Sequence, residues 1–196
     1  MEKQIIISIS REFGSRGRAI AKKVAKDLGL PLYDRNILEA IAKEKHMEVE
    51  HLEKFDEQPR NPMFTRSVGE HSNSMEEILV NMQFEYLQKR ADSGESFVVV
   101  GRCAETALKG REGLVSVFVL GDKDEKIAHI KEEYQLSALE ASFKMVRHDV
   151  KRRAYHNRHS DFKWGDSRGY DLCINSSRLG FERAVEIIKT CVKENI

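Results

Sequence analysis

No apolar run in this 196-residue chain approaches the length needed to cross a bilayer, which excludes a membrane-spanning helix. Net charge is also lacking. The 33 Lys and Arg balance 32 Asp and Glu, leaving a formal charge of +1, which argues against a general nucleic-acid binder. Cysteine is sparse and odd in number: Cys103, Cys173 and Cys191 suit reduced thiols rather than a disulfide framework. Met1-Glu2-Lys3 leads straight into a strand-like run, so neither a signal nor a transit peptide is expected and the chain reads as cytoplasmic. Low-complexity segments and internal repeats are missing. Charged residues at 33% and hydrophobic residues at 40% give the balance of a single globular domain, 1–196, large enough to bury a core.

One further absence lies inside a motif. Residues 8–23, SISREFGSRGRAIAKK, follow the apolar run Ile5–Ile9 and lead into Ile20, Val24 and Leu28, which share one helix face. Strand, glycine-containing loop and helix is the layout that brings backbone N–H groups and a helix N-terminus to an anion. The P-loop pattern is G-x-x-x-x-G-K-[ST]. With Gly17 as its second glycine, Glu12 replaces the first, Arg18 the lysine and Ala19 the hydroxyl. Arginine can still hold phosphate oxygens. Alanine cannot ligate Mg²⁺. The same Gly-x-x-Gly also fits a plain tight turn.

Further along, Gly29 and Pro31 end the first helix, and LPLYD forms a short strand ending at Asp34. Residues 37–45 and 47–55 read as two short helices, and 57–74 as an aperiodic, mobile loop with Pro59 and Pro62. Met75, Ile78, Leu79, Met82, Tyr86 and Leu87 restore helical spacing and read as core packing. Phe97–Val100 and Val115–Leu120 are continuous apolar runs, as in parallel strands covered on both faces. Asp122 with Glu125, and Ser137 with Glu140, have the spacing of capping boxes. The second of these helices carries Leu139, Phe143, Val146 and Val150 as its apolar side, with Lys144, Arg147 and Lys151 on another face. Asp171–Asn175 is a last strand, in which Cys173 is taken as buried packing. Phe181, Val185, Ile188 and Val192 mark a closing helix. Alternating strands and helices indicate an α/β fold.

Ligands of an open α/β sheet bind beyond the carboxyl ends of its strands. Loop 10–18, Asp34, Gly101-Arg102, Asp122 and Asn175 are placed there. Arg102 fits either anion binding or a structural ion pair. Residues 147–164 hold six cationic side chains against two carboxylates, interleaved with Tyr155, Phe162 and Trp164. They read as a solvated helix face, a nucleic-acid patch, or a lid whose arginines close over phosphate. The lid reading ranks first, because the segment lies between two core elements of a chain with a phosphate loop. His148, His156 and His159 lack zinc-site spacing and are read as polar surface.

Taken together, ISREFGSRGRAIAKKVAKDLGLPLYD, VVVGRCAE and KRRAYHNRHSDFKWGDSRGYDLCINSSRLG resemble the cytidylate kinase-like family, relatives of the P-loop nucleoside monophosphate kinases, over nearly the whole chain. The resemblance implies a three-layer P-loop NTPase-like fold with a five-stranded parallel sheet. Its sub-regions are a phosphate-loop core at 1–35, a helical acceptor-binding insert at 36–95, core at 96–130, a lid at 131–168 and core at 169–196. It implies that Gly14, Ser15, Arg16, Gly17 and Arg18 cradle the donor phosphates of ATP, which enters with Mg²⁺. Asp34 faces the acceptor, and Arg102 holds its phosphate. Cys103 follows where the family's motif has Asp, which puts cytosine recognition in doubt. Arg147, Arg152, Arg153 and Arg158 are the lid arginines. Asn175, Ser176 and Ser177 border the donor base, and Lys126 stands where relatives commonly place arginine.

The reaction so implied is in-line transfer of the γ-phosphoryl group of ATP to a nucleoside monophosphate of cytidylate type, catalysed by positioning and charge neutralisation. Its partners are small-molecule nucleotides rather than nucleic acid or membrane. Arg18 stands in for the lysine, and Ser10 or Ser15 for the hydroxyl. A kinase of another phosphorylated small molecule, a catalytically silent nucleotide sensor, and a nucleic-acid module at 144–164 are the competing readings.

Overall fold

Five short apolar segments that lack helical spacing line up side by side in the computed structural model, which describes residues 3–34, 36–53, 67–68, 71–72 and 75–194. In chain order these residues form β1 (Ile6–Arg11), α1 (Gly17–Leu28), β2 (Leu32–Tyr33), α2 (Asn36–Lys45), α3 (Val49–Glu53), β3 (Ser67–Val68), β4 (His71–Ser72) and α4 (Met75–Asp92). There follow β5 (Phe97–Val100), α5 (Ala104–Ala107), β6 (Leu114–Leu120), α6 (Lys123–Tyr134), α7 (Ala138–His159), β7 (Leu172–Asn175), α8 (Ser176–Leu179) and α9 (Phe181–Glu194). The main sheet runs β2-β5-β1-β6-β7, parallel throughout, with Ile6 level with Phe97 on one side and Leu114 on the other. The expected five-stranded α/β architecture is therefore present.

Burial follows from that order. Ile6, Ile7 and Ile9 of the central strand are fully buried, and alternate residues feed two cores. Ile7 and Ile9 meet Ile20 and Val24 of α1 and Val185, Ile188 and Val192 of α9. Ile6, Phe97 and Val99 meet α2 and α4 through Ile37, Leu38, Ile41, Leu79 and Leu87. Gly29 closes α1 in the left-handed region, as expected of a C-terminal glycine. No helix among the described residues is long and apolar enough to cross a membrane.

Several sequence expectations are corrected here. Cys173 is exposed, because β7 is an edge strand and one of its faces is uncovered. Leu139, Phe143, Val146 and Val150 are also exposed; α7 turns Ala141, Met145, Tyr155 and His156 inward instead. Of the two capping boxes, Ser137 with Glu140 is complete. Asp122 makes no side-chain cap, since its carboxylate accepts from Asn175 Nδ2 at 2.8 Å. His156 is buried against Glu105, not at the polar surface. The expected loop at 57–74 falls largely outside the described residues; within it, 67–68 pair antiparallel with 71–72.

Candidate active site

Beyond the end of the central strand, residues 12–16 make a tight turn into α1. Gly14 sits at φ +86°, and a Cβ there would lie 2.8 Å from Ile130 Cδ1 and 2.9 Å from the Lys126 carbonyl. At Gly17 a Cβ would lie 2.6 Å from Arg11 Cβ. Both glycines let the turn lie flat against α6 and β1. Arg16 adopts the left-handed conformation ahead of α1 and gives no side-chain cap. The first-turn N–H groups and the helix dipole thus point at a cationic opening, the arrangement that suits an anion.

Serine plays a different part from the one expected. Ser15 is buried, and its hydroxyl donates to the Glu12 carbonyl at 2.8 Å. The Ser15 carbonyl in turn accepts from Ser176 Oγ at 2.7 Å. Ser10 is buried beneath the sheet end, 3.4 Å from Glu105. The Ser15 hydroxyl thus braces the loop, and that of Ser10 is engaged with Glu105 beneath it.

Glu12, at the position of the first glycine, turns away from the helix N-terminus. Its carboxylate accepts from Gly121 N at 3.1 Å and from Lys126 Nζ at 2.8 Å. Lys126 also lies 3.5 Å from Asp149, whose other oxygen accepts from Phe13 N at 2.7 Å. Burial pushes the Asp149 carboxyl up, against the pull of Phe13 N–H and Lys126. Lys126 is thus part of a charge network joining the loop to α6 and α7, with no direct reach to the cavity.

Arg18 donates its Nε–H to Asp34, joining the expected donor-side and acceptor-side residues across the cavity floor. The cavity measures about 610 Å³. Arg11, Arg16, Arg18, Lys22 and Arg152 line it against Glu12, Asp34 and Glu133, so cations exceed carboxylates. A smaller recess of about 160 Å³ shares Gly14, Arg16 and His129 with it and is bordered by Ser176 and Ser177. Asn175 caps α8 and holds Asp122, which fixes this border without lining it.

Arg102 occupies a neighbouring recess with Arg11, Arg152, His156 and Trp164. Gly101, Arg102 and Cys103 are successive left-handed residues, at φ 73°, 65° and 51°. Two non-glycine residues in that region cost roughly 1–3 kcal/mol each, strain that clusters at functional sites. Beneath them Glu105 accepts from Ser8 at 3.0 Å and contacts His156 Nε2 at 2.9 Å. Cys103, Glu105 and His156 bring their ligand-type atoms within 4.8 Å of one another. Ser8, Ser10 and His156 already occupy the Glu105 carboxylate and form with it a hydrogen-bonded brace under Arg102.

Of the four arginines expected in a lid, only Arg152 faces the main cavity, donating to the Arg11 carbonyl at 3.3 Å and lying 5.5 Å from the Phe13 ring centre. Arg153 lies over Trp164, Arg158 pairs with Glu77, and Arg147 is exposed. Tyr155 is buried, and Phe162 and Trp164 pack against His156, Tyr170 and Phe118. Lys22 and His129 line the cavity although sequence reasoning passed over them. Lys22 was detectable, since it stands four residues after Arg18 on one face of α1. His129 had no local signal.

The family described as the cytidylate kinase-like family matches residues 6–178. An uncharacterized protein from Eubacterium ventriosum ATCC 27560 is 34% identical, with 97% of this chain and 99% of that one covered and a TM-score of 0.78. Shikimate kinases from Bacteroides thetaiotaomicron (14% identity, 96% and 98% covered, TM-score 0.52) and Aquifex aeolicus vf5 (13%, 97% and 98%, 0.54) share the fold. No curated protein matches the sequence. A family match over most of the chain and a relative at this identity agree with the glycine turn, the parallel sheet and the cationic cavity: the chain belongs to the cytidylate kinase-like family.

Proposed function

We propose that the protein is a cytoplasmic phosphotransferase moving the γ-phosphoryl group of ATP to a nucleoside monophosphate of cytidylate type. The observation that carries this reading is the cavity in which the uncapped N-terminus of α1, Arg16, Arg18, Lys22 and Arg152 converge opposite Asp34. The α1 N–H groups and Arg16 bind the donor phosphates, with the base in the recess beside Ser176 and Ser177. Arg18 leaves Asp34 to take the transferring group, and the released carboxylate meets the acceptor. Arg102 and Arg152 hold the acceptor phosphate and neutralise charge in transit. Phosphoryl transfer needs in-line positioning of this kind and no covalent enzyme intermediate.

Magnesium would arrive with ATP. At the two loop positions neither residue supplies it an inner ligand, since Ala19 lacks a hydroxyl and Glu12 is paired with Lys126. An ion carried on phosphate oxygens and water suits Mg²⁺, which sheds its waters reluctantly. The same two observations favour the second reading, a nucleotide sensor without turnover.

The test is ADP formation from ATP and Mg²⁺ against CMP, dCMP, UMP, AMP and GMP. Turnover with one pyrimidine monophosphate, lost in Arg18→Ala, supports the kinase. Silence across the panel, with ATP still raising the melting temperature, selects the sensor. Silence without a thermal shift rejects nucleotide binding at this cavity.

A further inference from the structure

The longest helix carries an apolar face that the fold leaves uncovered. Leu139, Phe143, Val146 and Val150 of α7 are 67%, 68%, 52% and 55% exposed. Their spacing of four, three and four residues places them in one straight seam about 16 Å long. It lies across the helix from Ala141, Met145 and His156, which face the core. Singly exposed apolar residues need no explanation, but four in one seam do.

The seam's charged border says what fits it. Glu140 and Arg147 both flank it on the same side, Glu140 one residue in from the Leu139 end and Arg147 three residues in from the Val150 end. Laid antiparallel against a second copy, Leu139 faces the partner's Val150 and Phe143 faces the partner's Val146. In that register each Arg147 stands beside the partner's Glu140, giving two opposite-charge contacts related by the two-fold axis. A parallel arrangement would set like residues level with one another and would not bring these charges together. We infer that α7 is a homodimer interface in which two copies pair antiparallel through Leu139, Phe143, Val146 and Val150. One helix face of that length offers less area than the roughly 1,200–2,000 Å² of a stable interface, so the dimer forms only as protein concentration rises.

Sedimentation equilibrium of the full chain over a wide concentration range tests this. The weight-average mass should climb from 22.6 kDa toward about twice that value. Phe143→Glu and Val146→Ser should each weaken association by about tenfold or more, with the dilute melting temperature unchanged because both side chains are exposed. Arg147→Glu should weaken it, and the exchanged pair Glu140→Lys with Arg147→Glu should restore it, Ser137 Oγ still capping the helix. A monomer at every concentration overturns the proposal. If phosphatidylserine vesicles then bind that monomer and lose Phe143→Glu, the seam belongs to a membrane surface. A dimer indifferent to Phe143→Glu places the interface elsewhere, and one insensitive to charge exchange overturns the antiparallel register.

Discussion

Lys126 holds its ammonium 2.8 Å from the Glu12 carboxylate, and the lysine side chain is only 8% exposed. The residue that displaced the first loop glycine is therefore neutralised inside the fold. Asp149, 3.5 Å away on the other side, shares the same cation. Lys126→Met leaves two facing carboxylates without it and is expected to cost about 3 kcal/mol. Urea denaturation measures this; a loss below about 1 kcal/mol would mean that water screens the network.

Arg18 separates function from stability. Its side chain is 69% exposed, so removing its pair with Asp34 should cost under about 1 kcal/mol. If it takes the transferring phosphoryl group, Arg18→Ala should lower turnover by on the order of 10²–10³-fold. Coupled ADP assay and denaturation on the same preparation check both halves. Equal loss in both would assign Arg18 a structural role.

The turn tolerates no added carbon. Gly17→Ala sets a Cβ 2.6 Å from Arg11 Cβ, and Gly14→Ala adds left-handed strain to contact with Ile130 and Lys126. Each should destabilise by about 1–3 kcal/mol and, if ATP binds at this turn as proposed, remove the thermal shift it gives. Wild-type stability in either variant would show that the turn can open.

His148 gives the acid limb a recognisable part. Burial, with Arg152 and Lys144 nearby, holds its pKa at about 4, against 6.5 in the unfolded chain. The unfolded chain therefore takes up the proton first. The histidine's contribution is present above pH 6.5 and is lost as pH falls from 6.5 toward 4, by about 1 kcal/mol once solvent screening is allowed for. His148→Phe keeps the stack on Phe13, whose centroid distance is 4.2 Å, and should flatten the stability profile in that window. An unchanged slope would assign the acid limb to other groups.

Much of the site was legible because its parts are local. Ile5–Ile9, the turn at Gly14 and Gly17, and the face of Ile20 and Val24 are contiguous, and backbone geometry alone joins them into strand, loop and helix. Arg102 was legible as a charged residue directly after a buried strand. The roles of Glu12, Ser15, Lys126 and Asn175 were not. Each is fixed by a partner far away in sequence, as in Ser15 with Ser176 or Glu12 with Lys126. Of four arginines alike in sequence, α7 turns only Arg152 into the cavity.

The sequence by itself determined which residues share a strand or a helix face, because those periods are properties of the backbone. It therefore determined the alternating α/β order, the glycine turn and the apolar seam of α7. Tertiary structure alone decided which face meets a neighbour. Leu139, Phe143, Val146 and Val150 look like a core stripe, yet α7 turns Ala141 and Met145 inward, and Cys173 is uncovered because β7 ends the sheet. Periodicity fixes a residue's angle about its own axis; only the packing of the remaining elements decides whether that angle faces protein or water.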